Sequence, residues 1–495
     1  GVMSYAYAKR FNILALEVTD ESVTIATAEP YVREWEDELA GILQREIHRV
    51  IANPRDIERY LLEFYTLARS VQGAHRDQSQ QPVTGVQNLE QLTELGRKGQ
   101  LEADDQHVVS IVDWLLQYAF EQRASDIHLE PRRDHGTVRF RIDGVLHHVY
   151  EIPGPILSAV SSRIKILGRM DVAEKRRPQD GRIKTRTPDG REIELRLSTM
   201  PTAFGEKLVL RIFNPDVLVR DMAGLGLPRS ESDEWDRLIH QPNGIVLVTG
   251  PTGSGKTTTL YSSLKQLATD DVNVSTIEDP IELVESSFNQ VQVQPAIGVT
   301  FASGVRTLLR QDPDIIMVGE IRDQETAEMA AQAALTGHLV LSTLHTNDAP
   351  SAVTRLVELG TPPYLISGTL LGVMAQRLVR TLCPHCKEPG EPDAERWKAM
   401  VHPFTARVPA RVQHPVGCLE CRNTGYLGRT GLYELLRMSP AVRDLVGPQT
   451  DTAAVRRQGL REQMRPLRLA GAQKVASGET TIDEVMRVTP SPEGH

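Results

Sequence analysis

Apolar residues fall into runs and stripes whose period changes along the chain, and the period predicts the elements. Alternation predicts strands at 12–18 and 22–26 around a turn at 19–21. Leu39, Ile42, Leu43, Ile47, Val50 and Ile51 mark one face of a helix. Ile57, Tyr60, Leu61 and Phe64 mark another, started near Asn53-Pro54. From 71 to about 104, large apolar residues thin out among Gln, Gly, Ser and Asp, which predicts a flexible linker. Val108, Val109, Ile111, Val112, Leu115, Leu116 and Ala119 predict a buried helix. Residues 137–142 alternate as a strand, and Asp143-Gly144 turns it into the next, 145–149. A helix at 157–167, a strand at 181–186, a turn at 188–190 and a strand at 192–197 complete an α+β unit.

Beyond about 225, strands and helices alternate. A buried strand at 245–248 precedes a helix at 258–267, with Leu260, Leu264 and Leu267 at helical spacing. A strand follows at 272–277, then a helix at 301–309 capped by Thr300, and a buried strand at 315–318. An alanine-rich helix at 325–335 leads to a strand at 338–343. Such alternation implies an α/β domain with a mostly parallel sheet covered on both faces, with ligands at the carboxyl ends of the strands. The expected division is 1–70, a linker at 71–104, an α+β domain at 105–222, and an α/β domain at 223–495.

The chain has 495 residues, more than one core can serve. Its 40% hydrophobic and 24% charged residues are ordinary for a globular protein, and no apolar run approaches the roughly 18 residues of a membrane span. No signal-like segment opens the sequence, so a cytoplasmic protein is expected. A net charge of −9 argues against a broad nucleic-acid-binding surface, and no nucleic-acid partner is expected.

Gly250-Pro251-Thr252-Gly253-Ser254-Gly255-Lys256-Thr257 fits the phosphate-binding loop G-x-x-x-x-G-K-[ST], and Thr258 continues it into the helix. Strand, glycine loop and helix is the context the motif needs: backbone N–H groups close around phosphate oxygens at the positive end of a new helix. Lys256 can reach the β- and γ-phosphates of ATP, and Thr257 can offer its hydroxyl to Mg²⁺. Glu278 and Asp279 follow a buried strand and are expected to emerge at the phosphate edge, as a metal or water-positioning pair. Gly319-Glu320 ends the strand 315–318 in the Walker B position, where Glu320 can orient or deprotonate a water. His345 lies beyond the strand 338–343, placed to sense the γ-phosphate, whereas His338 reads as a packing residue.

All four cysteines lie between Cys383 and Cys421, as the pairs Cys383/Cys386 and Cys418/Cys421. Four thiolates suit a structural, tetrahedral Zn²⁺, although the stretch from Cys386 to Cys418 exceeds the roughly 15–20 residues of the commonest form. They define a subdomain at about 381–432. Arginines are unusually frequent on the strands of the 105–222 unit, for which a solvated sheet face is one explanation.

The phosphate loop, the run 277–282, Gly319-Glu320-Ile321-Arg322-Asp323, the run from Gly337 to Asp348, and Ala375-Gln376-Arg377-Leu378 ahead of the cysteines together resemble the ATPases of type II secretion and type IV pilus machines. Residues 123–128, 139–144 and 178–182 resemble the same family's second domain. The resemblance implies a RecA-like ATPase domain, a PAS-like second domain and a small N-terminal domain, assembled as a homohexamer. It implies that Arg182 and Arg196 of the second domain reach the phosphates, and that the four cysteines hold the zinc of assembly-type members. The first unit resembles a domain that docks on an inner-membrane platform protein, which places the ATPase at the cytoplasmic face. That domain is often longer in the family, so residues ahead of Gly1 are expected. The function implied is Mg²⁺-dependent ATP hydrolysis powering pseudopilus assembly in type II secretion. The alternatives are a type IV pilus assembly motor, a nucleic-acid translocase and an inactive scaffold; intact Lys256, Thr257 and Glu320 count against the last.

Overall fold

The computed structural model describes residues 2–61 apart from 4, 20, 55, 56, 58 and 59; residues 105–213 apart from 187–189 and 191; and residues 224–490 apart from 419. The expected linker, Phe64 and most of the turn at 188–190 lie outside the described residues. The chain divides into two units, Gly1–Phe213 and Asn214–His495.

The N-terminal unit holds two separate sheets. The first comprises β1 (Ile13–Val18), β2 (Ser22–Thr27) and β3 (Glu46–Ile51) in the order β1-β2-β3. β1 and β2 pair antiparallel, and β2 and β3 pair parallel. The helix predicted from Leu39 to Ile51 is therefore half wrong. It runs as Glu34–Leu43 and stops where Gln44 takes a left-handed conformation at φ 51°. The following stretch contains β-branched Ile47, Val50 and Ile51, and its backbone groups find partners on β2. Trp35 and Leu39 of the helix bury against Ile13, Val23 and Ile25.

The second sheet is six-stranded and antiparallel. It comprises β4 (Asp126–Pro131), β5 (His135–Ile142), β6 (Val145–Pro153), β7 (Gln179–Arg186), β8 (Glu192–Thr202) and β9 (Gly205–Phe213), in the order β6-β5-β4-β9-β8-β7. β4 and β9 were not predicted: β4 alternates with charged residues, and β9 lies beyond the expected end of its hairpin partner. Strand alternation sends Ile127, Leu129, Val138, Phe140, Leu195, Leu197, Leu208 and Leu210 into one core beneath the helices Gln106–Glu121 and Gly154–Leu167. The opposite alternation aligns charge. Arg182, Arg196, Arg211, Asp126 and Arg141 are successive cross-strand partners in one row.

The C-terminal unit is built on a seven-stranded sheet. Its strands are β10 (Gly244–Thr249), β11 (Val274–Glu278), β12 (Asn289–Gln292), β13 (Ile315–Val318), β14 (Leu339–Leu344), β15 (Leu370–Leu382) and β18 (Tyr426–Arg437), in the order β12-β11-β13-β14-β10-β15-β18. All pairings are parallel except β15 with β18. β16 (Glu388–Gly390) and β17 (Val412–His414) pair antiparallel as a separate two-stranded sheet, with the helix Ala394–Val401 between them in sequence.

Both faces are covered, as a parallel sheet requires. On β10, Val246 and Val248 enter a core with the helices Arg229–Ile239 and Lys256–Leu267. Ile245 and Leu247 enter the other core, with the helices Phe301–Leu308, Gln324–Leu335 and Ala349–Glu358. Thr300 caps Phe301–Leu308 through a reciprocal pair with Ser303, as its position predicted. The helix Arg229–Ile239 was not predicted from its polar sequence, yet it anchors one core through Trp235, which is fully buried and donates from Nε1 to Ser263 Oγ at 2.9 Å.

Trp235→Ala should remove both that packing and the hydrogen bond, destabilising the C-terminal unit by about 3–5 kcal/mol. Denaturant midpoints of the wild type and the variant check this, and a change below about 1 kcal/mol would contradict the packing account.

Candidate functional site

Parallel pairing brings the carboxyl ends of β10, β13 and β14 to one edge, with Thr249 opposite Leu344 and Val318 opposite Ser342. The phosphate loop leaves β10 at this edge. Its backbone takes positive φ at Gly250, Gly253 and Gly255, and at two of these a Cβ would also clash. Gly255 sits at φ 87°, and a Cβ on it would lie 2.8 Å from Gln376 Nε2. Gly250 sits at φ 153°, and a Cβ there would lie 2.5 Å from the Gln376 carbonyl oxygen. The helix Lys256–Leu267 starts directly after Gly255, so its free N–H groups face the loop.

Lys256 is buried and donates from Nζ to the carbonyl oxygens of Gly250 (2.8 Å) and Pro251 (3.1 Å). Burial, helped by Arg377, lowers its pKa to about 8 against the opposing pull of Glu320. Ser254 Oγ is buried with no hydrogen-bond partner among the described residues. A polar hydroxyl left unmatched beside a carbonyl-bound lysine is a site that fits phosphate oxygens.

Glu320 is reached two residues beyond β13. Gly319 N–H donates to Ile277 O (2.8 Å) and Ile321 N–H to Thr343 O (3.0 Å), which pins the segment between two strands. One Glu320 oxygen is ion-paired with Arg322, and the other lies 3.4 Å from His345 Nε2. Arg322 also reaches Asp279 at 3.7 Å. The His345 pKa is lowered, first by burial and then by Lys256, with Glu320 opposing, so the ring is neutral at pH 7. Lys256, Glu320 and His345 thus form one electrostatic group at the strand ends. His338 holds the preceding turn by donating from Nδ1 to Ala333 O at 2.9 Å.

Glu278 does not emerge as expected. It is the last residue of β11 and its carboxylate is buried, accepting from Tyr261 (2.6 Å), Thr276 (2.6 Å) and Gln290 (3.1 Å). The next residue along the strand faces the other way, so Asp279 is the carboxylate presented toward Arg322. Burial, and then the Glu278 charge, raise the Tyr261 pKa, so the phenol stays a donor to Glu278. The roles of Tyr261 and Arg322 were not legible in the sequence: Tyr261 sits in a stripe of core residues, and Arg322 carries no spacing signature of its own.

Arg182 and Arg196 belong to the N-terminal unit and flank Glu194, at 3.8 and 3.7 Å. They differ in freedom. The Arg196 guanidinium stacks 4.2 Å from the Phe213 ring centroid with its side chain 18% exposed, whereas that of Arg182 is 51% exposed.

The four cysteine Sγ atoms lie within 4.8 Å of one another. Cys383–Cys418 is 3.8 Å, while Cys386–Cys421 and Cys418–Cys421 are each 3.7 Å. Ligands about 2.3 Å from a tetrahedral Zn²⁺ stand about 3.8 Å apart, so the cluster has the dimensions of a metal cage. The Gly417 N–H points at Cys386 Sγ (3.3 Å), and the N–H groups of Cys418 and Gly425 point at Cys421 Sγ (3.2 Å each), where they lower the pKa to about 7 against burial, whereas burial pushes the Cys383 and Cys418 thiols up. Cys383 directly follows β15, and its N–H donates to Gly425 O (2.9 Å) just ahead of β18, so the cluster ties two neighbouring strands. Among the described residues, no helix is long and apolar enough to cross a membrane.

Residues 101–487 match the family described as Type II/IV secretion system protein, and residues 1–71 match the MshEN domain. The chain is 55% identical over 491 residues to the type IV pilus assembly ATPase TfpB of Acinetobacter baylyi, covering 99% of this chain and 84% of that protein. It is 47% identical over 386 residues to the type II secretion system ATPase E of Vibrio cholerae, covering 78% and 76%. Among solved structures it is similar to the pilus retraction motor PilT with bound ADP, at TM-score 0.54 and 27% identity, covering 78% of this chain and 98% of that one.

A polyanion beside Lys256 would raise its pKa from about 8, so nucleotide binding takes up a proton above that pH. ADP affinity should therefore be constant near pH 7 and weaken by up to about tenfold per unit as pH rises beyond 8. Isothermal titration at several pH values checks this; undiminished affinity at pH 9 would contradict it.

Proposed function

We infer the function from membership: this chain belongs to the type II/IV secretion ATPase family and is an ATPase. The observation that carries the mechanism is the convergence of Lys256, Glu320 and His345 at one edge of a parallel sheet. The loop N–H groups and Lys256 bind the phosphates, and Ser254 Oγ supplies a further polar contact. Glu320 orients the attacking water or accepts its proton, and neutral His345 holds Glu320 in place by a donated hydrogen bond. Mg²⁺, which the family implies, suits the oxygen-only set of Thr257, Asp279 and Glu320, and would offset phosphate charge. Glu278 acts through Tyr261 and Thr276 by fixing the end of β11. Arg182 brings a guanidinium to the phosphates, with Arg196 held beside it by Glu194 and Phe213. The cysteines hold a structural Zn²⁺.

The work proposed is assembly of a type II secretion pseudopilus by a homohexamer, docked through residues 1–70 on an inner-membrane platform protein at the cytoplasmic face. A second reading, a type IV pilus assembly motor, has one observation in its favour: the pilus relative aligns across almost the whole chain, first domain included, whereas the secretion relative aligns over 78% of it. Pull-down with the cytoplasmic segment of each system's platform protein separates the two.

Glu320→Gln should retain ATP binding and lower turnover about 10²–10⁴-fold, because an amide cannot take the proton. Arg182→Ala should lower turnover at least about tenfold with an unchanged melting midpoint, whereas a merely solvated charge would change neither. Steady-state phosphate release and thermal melts check both. Elemental analysis should find about one zinc per chain in the wild type, and Cys418→Ser should lose it and lower the melting midpoint. Wild type that is both metal-free and equally stable would contradict the structural role.

A further inference from the structure

The run Ala375-Gln376-Arg377-Leu378 has no part in the mechanism above, yet the loop is built against it. Ala375 is the last β15 partner of β10, opposite Thr249. Gln376 and Arg377 therefore continue β15 just past the point where β10 gives way to the phosphate loop. Both are almost fully buried. Gln376 Oε1 accepts from Thr259 Oγ1 at 2.7 Å, in the first turn of the helix that follows the loop. Its Nε2 and carbonyl oxygen are the atoms that leave no room for a Cβ at Gly255 and Gly250.

Arg377 divides its guanidinium among three places. Nη1 donates to Gln376 O (3.0 Å) and would lie 3.1 Å from a Cβ on Gly250. Nη2 donates to Asn347 O (2.7 Å), two residues after His345. Nε donates to Val488 O (3.1 Å), the last residue of the helix Ile482–Val488. A surface charge does none of this: a buried guanidinium is costly unless its donors are matched. Glu434 and Asp348 supply the facing negative charge.

We propose that Gln376 and Arg377 are positioning residues that form the floor of the phosphate loop and couple its nucleotide state to the C-terminal helix Ile482–Val488. The coupling has a physical source. Lys256 is bound to the carbonyls of Gly250 and Pro251 and must release them to reach phosphate. The Gly250 peptide, freed on one side, has Gln376 O and Arg377 Nη1 on the other. A shift there reaches Val488 O and Asn347 O through one rigid, planar group. Ile482–Val488 responds as a unit with β15, because Arg380 of the same strand binds Glu484 of the helix at 2.6 Å.

The inference rests on nucleotide occupying the phosphate loop, and one experiment separates the two. Amide hydrogen exchange is followed in full-length protein with and without ADP and Mg²⁺, for wild type, Arg377→Lys and Arg380→Lys. Protection of amides at 250–257 reports nucleotide in the loop. Exchange at 485–489 reports the coupling. In wild type, nucleotide should change exchange at both. Arg377→Lys keeps the charge but cannot bridge three acceptors, so it should retain the change in the loop and lose it at 485–489. Arg380→Lys should loosen 485–489 in both states yet keep the nucleotide-dependent difference. A nucleotide response at 485–489 that persists in Arg377→Lys would overturn the proposal, as would a wild type that responds in the loop alone. No response in the loop would instead overturn the nucleotide site itself. Should Arg377→Lys fail to fold, the wild-type response and the Arg380→Lys control still decide whether loop and helix are coupled.

Discussion

Parallel strand pairing is the constraint on which the rest depends. Neighbouring parallel strands must each be left by a crossover, so their carboxyl ends share an edge and the polypeptide is led across that edge repeatedly. Here β10 and β14 end level, at Thr249 and Leu344, β13 ends slightly earlier, at Val318 opposite Ser342, and each hands over to a polar segment at the same edge. The phosphate loop, Glu320 and His345 are far apart in sequence and adjacent in space for that reason alone. Burial on both faces of the sheet then fixes them, because Val246 and Leu247 on one strand are committed to different cores and β10 cannot slip.

The charges at this edge are balanced internally. Glu320 is paired with Arg322 and His345, and Lys256 is bound to carbonyl oxygens instead of to a carboxylate. Nucleotide therefore exchanges weak partners for strong ones at Lys256, while the Walker B carboxylate must be turned from Arg322 toward water. Differential contacts of this kind are what allow a ligand to shift a conformational equilibrium. Beyond β10, the strand β15 carries the floor of the loop at Gln376 and Arg377 and ends at Leu382, one residue ahead of Cys383, so the phosphate loop and the four-cysteine cluster are joined by one strand.

Much of this was legible in the sequence. Short-range motifs whose chemistry is set by spacing stood out: the phosphate loop came with its flanking strand and helix, and the paired cysteines came without the strands β15 and β18 on either side of them. The buried parallel strands β10, β11, β13 and β14 read clearly because both faces are apolar, whereas β15, parallel to β10 and interrupted by Gly372, Gln376 and Arg377, was not predicted. What failed did so for physical reasons. Residues 46–51 have apolar positions compatible with either period, and a neighbouring strand, invisible locally, decided for β. Glu278 was placed at the right strand end but on the wrong side, since Tyr261 draws it inward through a contact that no spacing encodes. The polar helix Arg229–Ile239 is held by Trp235, Leu238 and Ile239, all crowded into its last turns. Arg322 and Arg377 are arginines whose purpose depends on three-dimensional partners.

The central claim is that the loop at 250–257 binds the polyphosphate of ATP and that Glu320 and His345 face its γ-phosphate. A crystal structure of the full chain with a non-hydrolysable ATP analogue and Mg²⁺ tests this directly. The account predicts phosphate density enclosed by the backbone from Gly250 to Thr257, Lys256 Nζ detached from the Gly250 and Pro251 carbonyls and bound to phosphate oxygen, and Glu320 turned toward the terminal phosphate. Nucleotide bound elsewhere, or Lys256 still seated on its two carbonyls with the analogue present, would contradict it.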